Sequence, residues 1–288
     1  MKKFLYSIFI LMVFLINCGC ENVINPSYMH EDENGIMIKK LVFTGSTSMS
    51  KVCDALGETF TQKNTDVLVE KSDTGSGAAI KSIVSGTADI GNLSRNLIKE
   101  EISENIQAVQ IATDGIAIIV NKNNQIGGLN LENAGKIFTK NVVNWIEFGG
   151  SDSRITVIGR EEASGTREGF EKALKIEGKS RYDAEYSESG DIISKVANDI
   201  NAIGYVSLFS VSGNVRALKI DGVEPTAQNI ISKRYKIQRP FIQTFIRNTE
   251  NNVVFEWFNF LKTDEAKKVI ESQGLVPAEI NFDDSNIK

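Results

Sequence analysis

An α/β fold with a mostly parallel sheet and helices on both faces is predicted by three observations. Short apolar strands alternate with stretches of helical spacing over nearly the whole chain. Turns rich in glycine and hydroxyl residues separate them. One strand, "GIAIIVNK" (115–122), is apolar at consecutive positions, as a strand covered on both faces must be.

The elements follow in order. "LVFTG" (41–45) is a strand, and "MSKVCDALGETF" (49–60) is a helix with Val52, Cys53, Leu56 and Phe60 on one face. "DVLVEKS" (66–72) alternates as a strand does, "GAAIKSIVSG" (77–86) is a short helix, and "ADIGNLS" (88–94) is a strand ending in a turn. After "GIAIIVNK" come the helix "LENAGKIF" (131–138), the strand "RITVIGR" (154–160) and the helix "SGTREGFEKALKIEG" (164–178). "GDIISKVAND" (190–199) is helical and "AIGYVS" (202–207) a strand. "RPFIQTFI" (239–246) is a strand, and residues 251–274 read as one long amphipathic helix. No repeat of fixed period and no low-complexity tract is visible.

The chain has 288 residues, 41% hydrophobic and 24% charged, with only 4 prolines. It therefore has enough apolar residues for a sizeable core and is not a disordered composition. Its formal net charge of -5 lacks the basic balance of a nucleic-acid binder. An anion could still be held by local positive groups.

The first residues, "MKKFLYSIFILMVFLINCGC", have two lysines and then an apolar run over 4–16. This is the pattern of a secretory leader, and the run is short for a membrane span. "LINC" (15–18) resembles the bacterial lipoprotein box, which makes Cys18 the expected lipidation site and 1–17 the leader. Asn17 departs from the usual small residue. "GC" at Cys20 is the competing site, and an unlipidated secreted protein is the alternative. Loss of Lys2 and Lys3 with the leader takes the charge from -5 to -7. Residues 18–37 read as a polar tether containing the chain's only histidine, His30, which is expected to be neither ligand nor base. Cys53 is the only cysteine outside the leader region, so a disulfide scaffold is excluded and a buried inert thiol is expected.

Four stretches place glycine and hydroxyl residues where a strand ends and a helix begins: "TGSTS" (44–48), "TGSGAA" (74–79), "GNLSR" (91–95) and "ASGTR" (163–167). Such turns present free N–H groups and the positive end of a helix dipole. Glycine admits an anion close to the backbone and hydroxyls add donors. Each turn alone is equally a helix cap. Four together, with arginine beside two of them, point to an anion cleft beyond the strand ends. Catalytic readings fit less well. Ser164 stands in "EASGT" rather than G-x-S-x-G, and the stretch expected to fold contains no histidine base. "TGSGAAIK" lacks the ending of a phosphate loop, and no Cys/His cluster suggests zinc. Ser164 reads as a donor rather than a nucleophile, and neither metal nor cofactor is expected.

In this order, "GSTS", "TGSGAAI", "ADIGNLSR", "DGIAIIVN", "IF" with "NW" and "FGG", "GREEASGTR" and "AIGYVSL" resemble the phosphate-binding receptors of bacterial phosphate ABC importers, the PstS type. The resemblance runs from about residue 40 to "KTDEAKKVIESQGLVP". It implies a two-lobed periplasmic-binding-protein fold of type II, hinge-linked, with the ligand in the cleft. Lobe I would be 38–119 and 241–288, and lobe II 120–240. It implies phosphate donors at Ser46, Thr47, Ser76, Gly77 and Ser94, with Arg95 beside them. From the other lobe come Arg160 as charged anchor, Ser164, Gly165 and Thr166. One branch of the family has an acidic residue at the position aligned with Ser94, where it accepts a proton from phosphate. Asp114 is the substitute chosen here, a hinge residue satisfying backbone groups being the alternative, while Glu162 would orient Arg160. Arg95 and Arg167 could serve only at the rim.

The expected protein is thus a lipid-anchored receptor outside the cytoplasmic membrane, in the periplasm or at the cell surface. It would be a monomer that delivers inorganic phosphate to ABC permease subunits and performs no catalysis. Sulfate or molybdate receptors, a phosphate-ester hydrolase and an adhesin keeping the fold are the rival readings.

Overall fold

The computed structural model describes residues 29–31 and 37–282. The leader, Cys18 and Cys20 lie outside the described residues. Part of the stretch expected to be a tether is strand β1 (Met29–Glu31), which pairs antiparallel with β2 (Met37–Gly45). A 3-10 turn leads to α1 (Ser50–Thr61), then β3 (Val67–Ser72), α2 (Ser76–Val84) and β4 (Ile90–Leu93). The long strand β5 (Ile106–Asn121) leads to β6 (Gly128–Leu129), α3 (Leu131–Phe138), β7 (Thr156–Arg160) and α4 (Gly165–Leu174). There follow β8 (Ala184–Tyr186), α5 (Ser189–Asn198), β9 (Ala202–Ser207), β10 (Val215–Ala217), β11 (Lys219–Ile220) and α6 (Ala227–Ile231). The chain closes with β12 (Gln238–Ile246), α7 (Val253–Leu261), α8 (Asp264–Ser272) and β13 (Val276–Pro277).

The main sheet runs β1-β2-β4-β12-β5-β9-β7-β8. It is parallel within each half, at β3-β2-β4 and at β9-β7-β8, with β1 added antiparallel beside β2. Its centre is antiparallel, because β12 runs against both β4 and β5, and β5 against β9. The expectation of a mostly parallel sheet therefore holds for each half and fails between them. There the chain goes out along β5 and returns along β12.

Two large apolar cores divide the molecule. One joins Leu41, Phe43, Val109, Ile111 and Ala112 to Phe241, Phe245 and the aromatic face of α7. The other joins Ile116, Ile118 and Val120 to Phe138, Phe170, Tyr205 and Ile237. Along β5, Ile116, Ile118 and Val120 enter that core while Ala117 and Ile119 enter a smaller one on the opposite face. Both faces are covered, which explains the unbroken apolar run. Along β5 the core changes between Ala112 and Ile116, so Ile116 and Ile118 belong with the second core although they precede residue 119. On the return strand it changes between Ile237 and Phe241.

The long helix expected over 251–274 is two helices. Thr263 leaves helical geometry (φ -73°, ψ 152°) and its side chain accepts a bond from Ala266 N at 3.2 Å. Asp264 and Glu265 fill the first turn after it. This is a helix start, and it outweighs an apolar periodicity that continues through it.

Candidate functional site: the cleft between the two cores

The first turn is set by Gly45. Its φ is +125°, and a Cβ there would lie 2.2 Å from Asn92 O, so only glycine lets the ends of β2 and β4 meet. Ser46 N–H donates to Asn92 O at 2.9 Å, and Ser46 Oγ donates to Ser94 Oγ at 2.8 Å. The second turn brings Ser76 Oγ to accept from Ser94 N at 3.1 Å, with 3.3 Å between the Ser76 and Ser94 hydroxyls. Ser46, Ser76 and Ser94 form one buried hydroxyl cluster at the ends of β2 and β4 and the start of α2.

The opposite wall is built from β7 and α4. Ser164 is the N-cap of α4, its Oγ accepting from Arg167 N at 3.4 Å. Gly165 is the first helical residue, and a Cβ on it would stand 2.5 Å from Ser76 Oγ and 2.7 Å from Ser94 Oγ. Gly77 N–H donates to Ala163 O at 3.2 Å. Thr166 Oγ1 lies 2.6 Å from Ser48 Oγ. The walls therefore touch through the residues that the sequence singles out.

Arg160, at the end of β7, is buried. Its Nη2 donates to Thr47 Oγ1 at 2.9 Å, across the cleft, and to Ser187 O. Its Nη1 reaches Ser189 Oγ at 3.2 Å and Thr166 Oγ1 at 3.5 Å, and Nε donates to Tyr186 O at 3.2 Å. Tyr205, stacked on Phe170 with ring centroids 3.9 Å apart, accepts the Arg160 backbone N–H. Burial pulls the Arg160 pKa below its ordinary value, and the Arg239 charge acts the same way. Such a site favours an anion.

Two of the expected contacts, Arg95 and Asp114, have charged partners within the protein. Arg95 turns to the rim, where it forks onto Glu101 with both bonds at 2.7 Å and meets Glu168 of α4 at 2.8 Å. Its guanidinium is committed to carboxylates at the rim, the place the sequence allowed for it. Asp114 is buried and occupied. Its Oδ2 accepts from Arg239 Nε and Nη2 at 3.0 and 2.8 Å, and its Oδ1 from Ser207 Oγ at 2.7 Å. Burial raises the Asp114 pKa, and Arg239 opposes it. Both its oxygens are therefore engaged within the protein, by Arg239 and Ser207, which favours the alternative of a structural residue over that of a proton acceptor. Glu162 is exposed, and Arg167 pairs with Glu171 and Glu185.

Sequence reasoning missed Ser48, Ser189, Ser207 and Arg239. Ser48 lies within "TGSTS". The signal for Arg239 is a charged residue opening the otherwise apolar strand "RPFIQTFI". Nothing in the sequence joins it to Asp114, 125 residues away.

The whole arrangement concentrates hydroxyls, helix N-termini and two guanidiniums in one buried place. It can hold a compact oxyanion by many hydrogen bonds. A family model described as a PBP superfamily domain matches residues 33–270. The phosphate-binding protein PstS of Bacillus subtilis is 30% identical over 245 residues, covering 82% of this chain and 80% of its own. A substrate-binding protein from Clostridium perfringens, assigned to a phosphate ABC transporter and crystallised with bound phosphate, is 36% identical with a TM-score of 0.80, covering 84% of this chain and 100% of its own. An ABC-type phosphate transport receptor from Vibrio cholerae is 29% identical with a TM-score of 0.71, covering 83% and 100%.

Proposed function

Because the chain belongs to the PstS family of phosphate-binding receptors within the PBP superfamily, we propose that it captures inorganic phosphate outside the cytoplasmic membrane and delivers it to the permease of an ABC importer. The role is capture, not catalysis. The observation that carries the reading is the meeting of Gly165 with Ser76 and Ser94, which sets the N-termini of α2 and α4 against one another beside the Arg160 guanidinium. Thr47, Ser76 and Ser94 would donate from one lobe, and Arg160, Ser164, Gly165 and Thr166 from the other, while Ser46 and Gly77, whose hydrogens go to Asn92, Ser94 and Ala163, would shape the turns around the ligand. Micromolar binding requires about 8 kcal/mol. Hydrogen bonds to a charged group contribute roughly 1.5–3 kcal/mol each, so this set exceeds the requirement and leaves room for desolvation and closure.

Hydrogenphosphate carries one proton that needs an acceptor. With Asp114 engaged by Arg239, Ser46 Oγ is the group suited to it, since it gives its own hydrogen to Ser94. The lobes would swing about residues 113–115 and 238–240, where β5 and β12 pass between the cores. The receptor would act as a monomer, tethered through a lipid on Cys18.

Isothermal titration of the mature chain with phosphate and then sulfate tests this. Phosphate is expected to bind at micromolar concentration or below, and sulfate more weakly. Absence of heat with phosphate, or tighter binding of sulfate, would overturn the reading. Mass spectrometry of the mature N-terminus tests the anchor, with lipid on Cys20 as the result against Cys18.

A further inference from the structure

Arg239 and Asp114 sit directly opposite one another on β12 and β5. Both side chains are buried, and they belong to the two strands that run between the cores. Their position is therefore set by the hinge ladder. From there Arg239 Nη1 donates to Thr166 Oγ1 at 2.6 Å, in the first turn of α4. A threonine hydroxyl has two acceptor positions and one hydrogen. Arg239 fills one acceptor position, and Arg160 Nη1 approaches the other at 3.5 Å. The hydrogen is left for Ser48 Oγ, 2.6 Å away, or for an anion oxygen beside it.

We propose that Arg239, held by Asp114, is a positioning residue that fixes the Thr166 hydroxyl as a hydrogen donor, so that the cleft, with Ser46 Oγ suited to take one ligand proton, has no place there for a second and favours the phosphate dianion over the monoanion. This rests on the phosphate reading. The Asp114 carboxylate serves the same end from behind. With Ser207 on one oxygen and the Arg239 fork on the other, it holds the guanidinium in one orientation. Lysine could keep the ion pair but could not reach Asp114 with two bonds and Thr166 with a third.

The charged and titratable groups around this pair are Arg160 on β7, Tyr205 on β9, Tyr235 just before β12, and Glu168 and Lys172 on α4, with Arg95 and Lys236 at the outer mouth. None is a histidine, and the chain's single histidine is His30 in β1. Between pH 6 and 8, roughly, the ligand therefore changes charge more than the site does.

The test is phosphate titration across that range with the parent, with Arg239→Lys, and with the double variant Arg239→Met/Asp114→Asn, which removes both charges together. Parent affinity is expected to rise about tenfold from about pH 6 to about pH 8, following the dianion. Both variants are expected to bind about tenfold more weakly at the upper end and to show a rise of about threefold or less. A variant that keeps its fold by circular dichroism and also the parent's full rise would overturn the proposal, whatever its absolute affinity. If the double variant does not fold, Arg239→Lys alone decides by the same criterion. A parent that binds phosphate without any rise also overturns it and leaves the phosphate reading standing. A parent that binds no phosphate at any pH overturns both.

Discussion

Gly165, the first residue of α4, abuts Ser76, the first residue of α2, so closely that a Cβ on the glycine would stand 2.5 Å from the serine hydroxyl. The two helices pack in different apolar cores, α2 through Ala79, Ile80 and Ile83 and α4 through Phe170 and Leu174. Their N-termini can meet only because one of them begins with a residue that has no side chain.

Gly165→Ala is therefore expected to hold the lobes apart while leaving each lobe intact. Phosphate affinity should fall tenfold or more, a loss of about 1.4 kcal/mol or above. Thermal stability without ligand should be unchanged or slightly higher, because alanine favours a helix over glycine by about 1 kcal/mol. Titration and melting, measured on the same preparation, separate the two effects. A variant that binds as tightly as the parent would show that the contact does not limit closure.

Arg160 uses its fork on Thr47, Ser189 and two carbonyls, so its geometry matters as well as its charge. Arg160→Lys is expected to weaken phosphate binding although the charge stays, and Arg160→Ala to weaken it by roughly 2–5 kcal/mol. Unchanged affinity in a folded Arg160→Ala protein would remove it from the site.

Ser164→Ala separates a binding donor from a helix cap. As a phosphate donor the hydroxyl would contribute about 1.5–3 kcal/mol of affinity. As a cap its bond to Arg167 N is long, at 3.4 Å. The loss of stability should therefore lie near the low end of the usual range, about 0.5 kcal/mol. Serine-directed fluorophosphonates should leave Ser164 unlabelled.

The fold was legible where one element meets one environment. The stretch 131–138 is α3 and 202–207 is β9, with the ends read from sequence. Both have apolar spacing that agrees with a single core. The first half of β5 went unread because Gln107, Gln110 and Asp114 interrupt its apolar positions: Gln107 accepts from Arg247 just after β12, Gln110 donates to Ala112 and Thr113 of β5 itself, and Asp114 is held by Arg239 of β12 and Ser207 of β9. In the site, the glycine and hydroxyl turns were legible because local chain geometry demands those residue types. The hinge pair was not, since it is made by register between distant strands. The partners of Arg95 were illegible for a related reason: Glu101 sits on an exposed turn and Glu168 on α4, distant in the chain.

Cys53 is buried between α1 and the first core, and burial pushes its thiol pKa up to about 12. In the unfolded chain a thiol ionises near 8.5. Above that pH only the unfolded state gains the charge, so this residue makes stability fall as pH rises from about 8.5 towards the folded value. Cys53→Ala should show a shallower loss of stability across that range in denaturant titrations. In the parent, a thiol reagent at neutral pH should label Cys53 only after unfolding, and rapid labelling of Cys53 in the native protein, located by peptide mapping, would contradict the burial.

The way the cores are stitched also orders their assembly as the chain emerges from its N-terminus. The second core draws its residues from 116–237, one continuous stretch, and can condense as soon as that stretch is free. The first core needs Leu41 and Phe43 together with Trp257 and Phe258, so its early strands must wait for the last tenth or so of the sequence. A nascent chain halted before α7 would carry a finished C-proximal lobe and an unfinished N-proximal one. The unfinished lobe would keep its apolar strand faces open to chaperones and proteases until the final helices arrived.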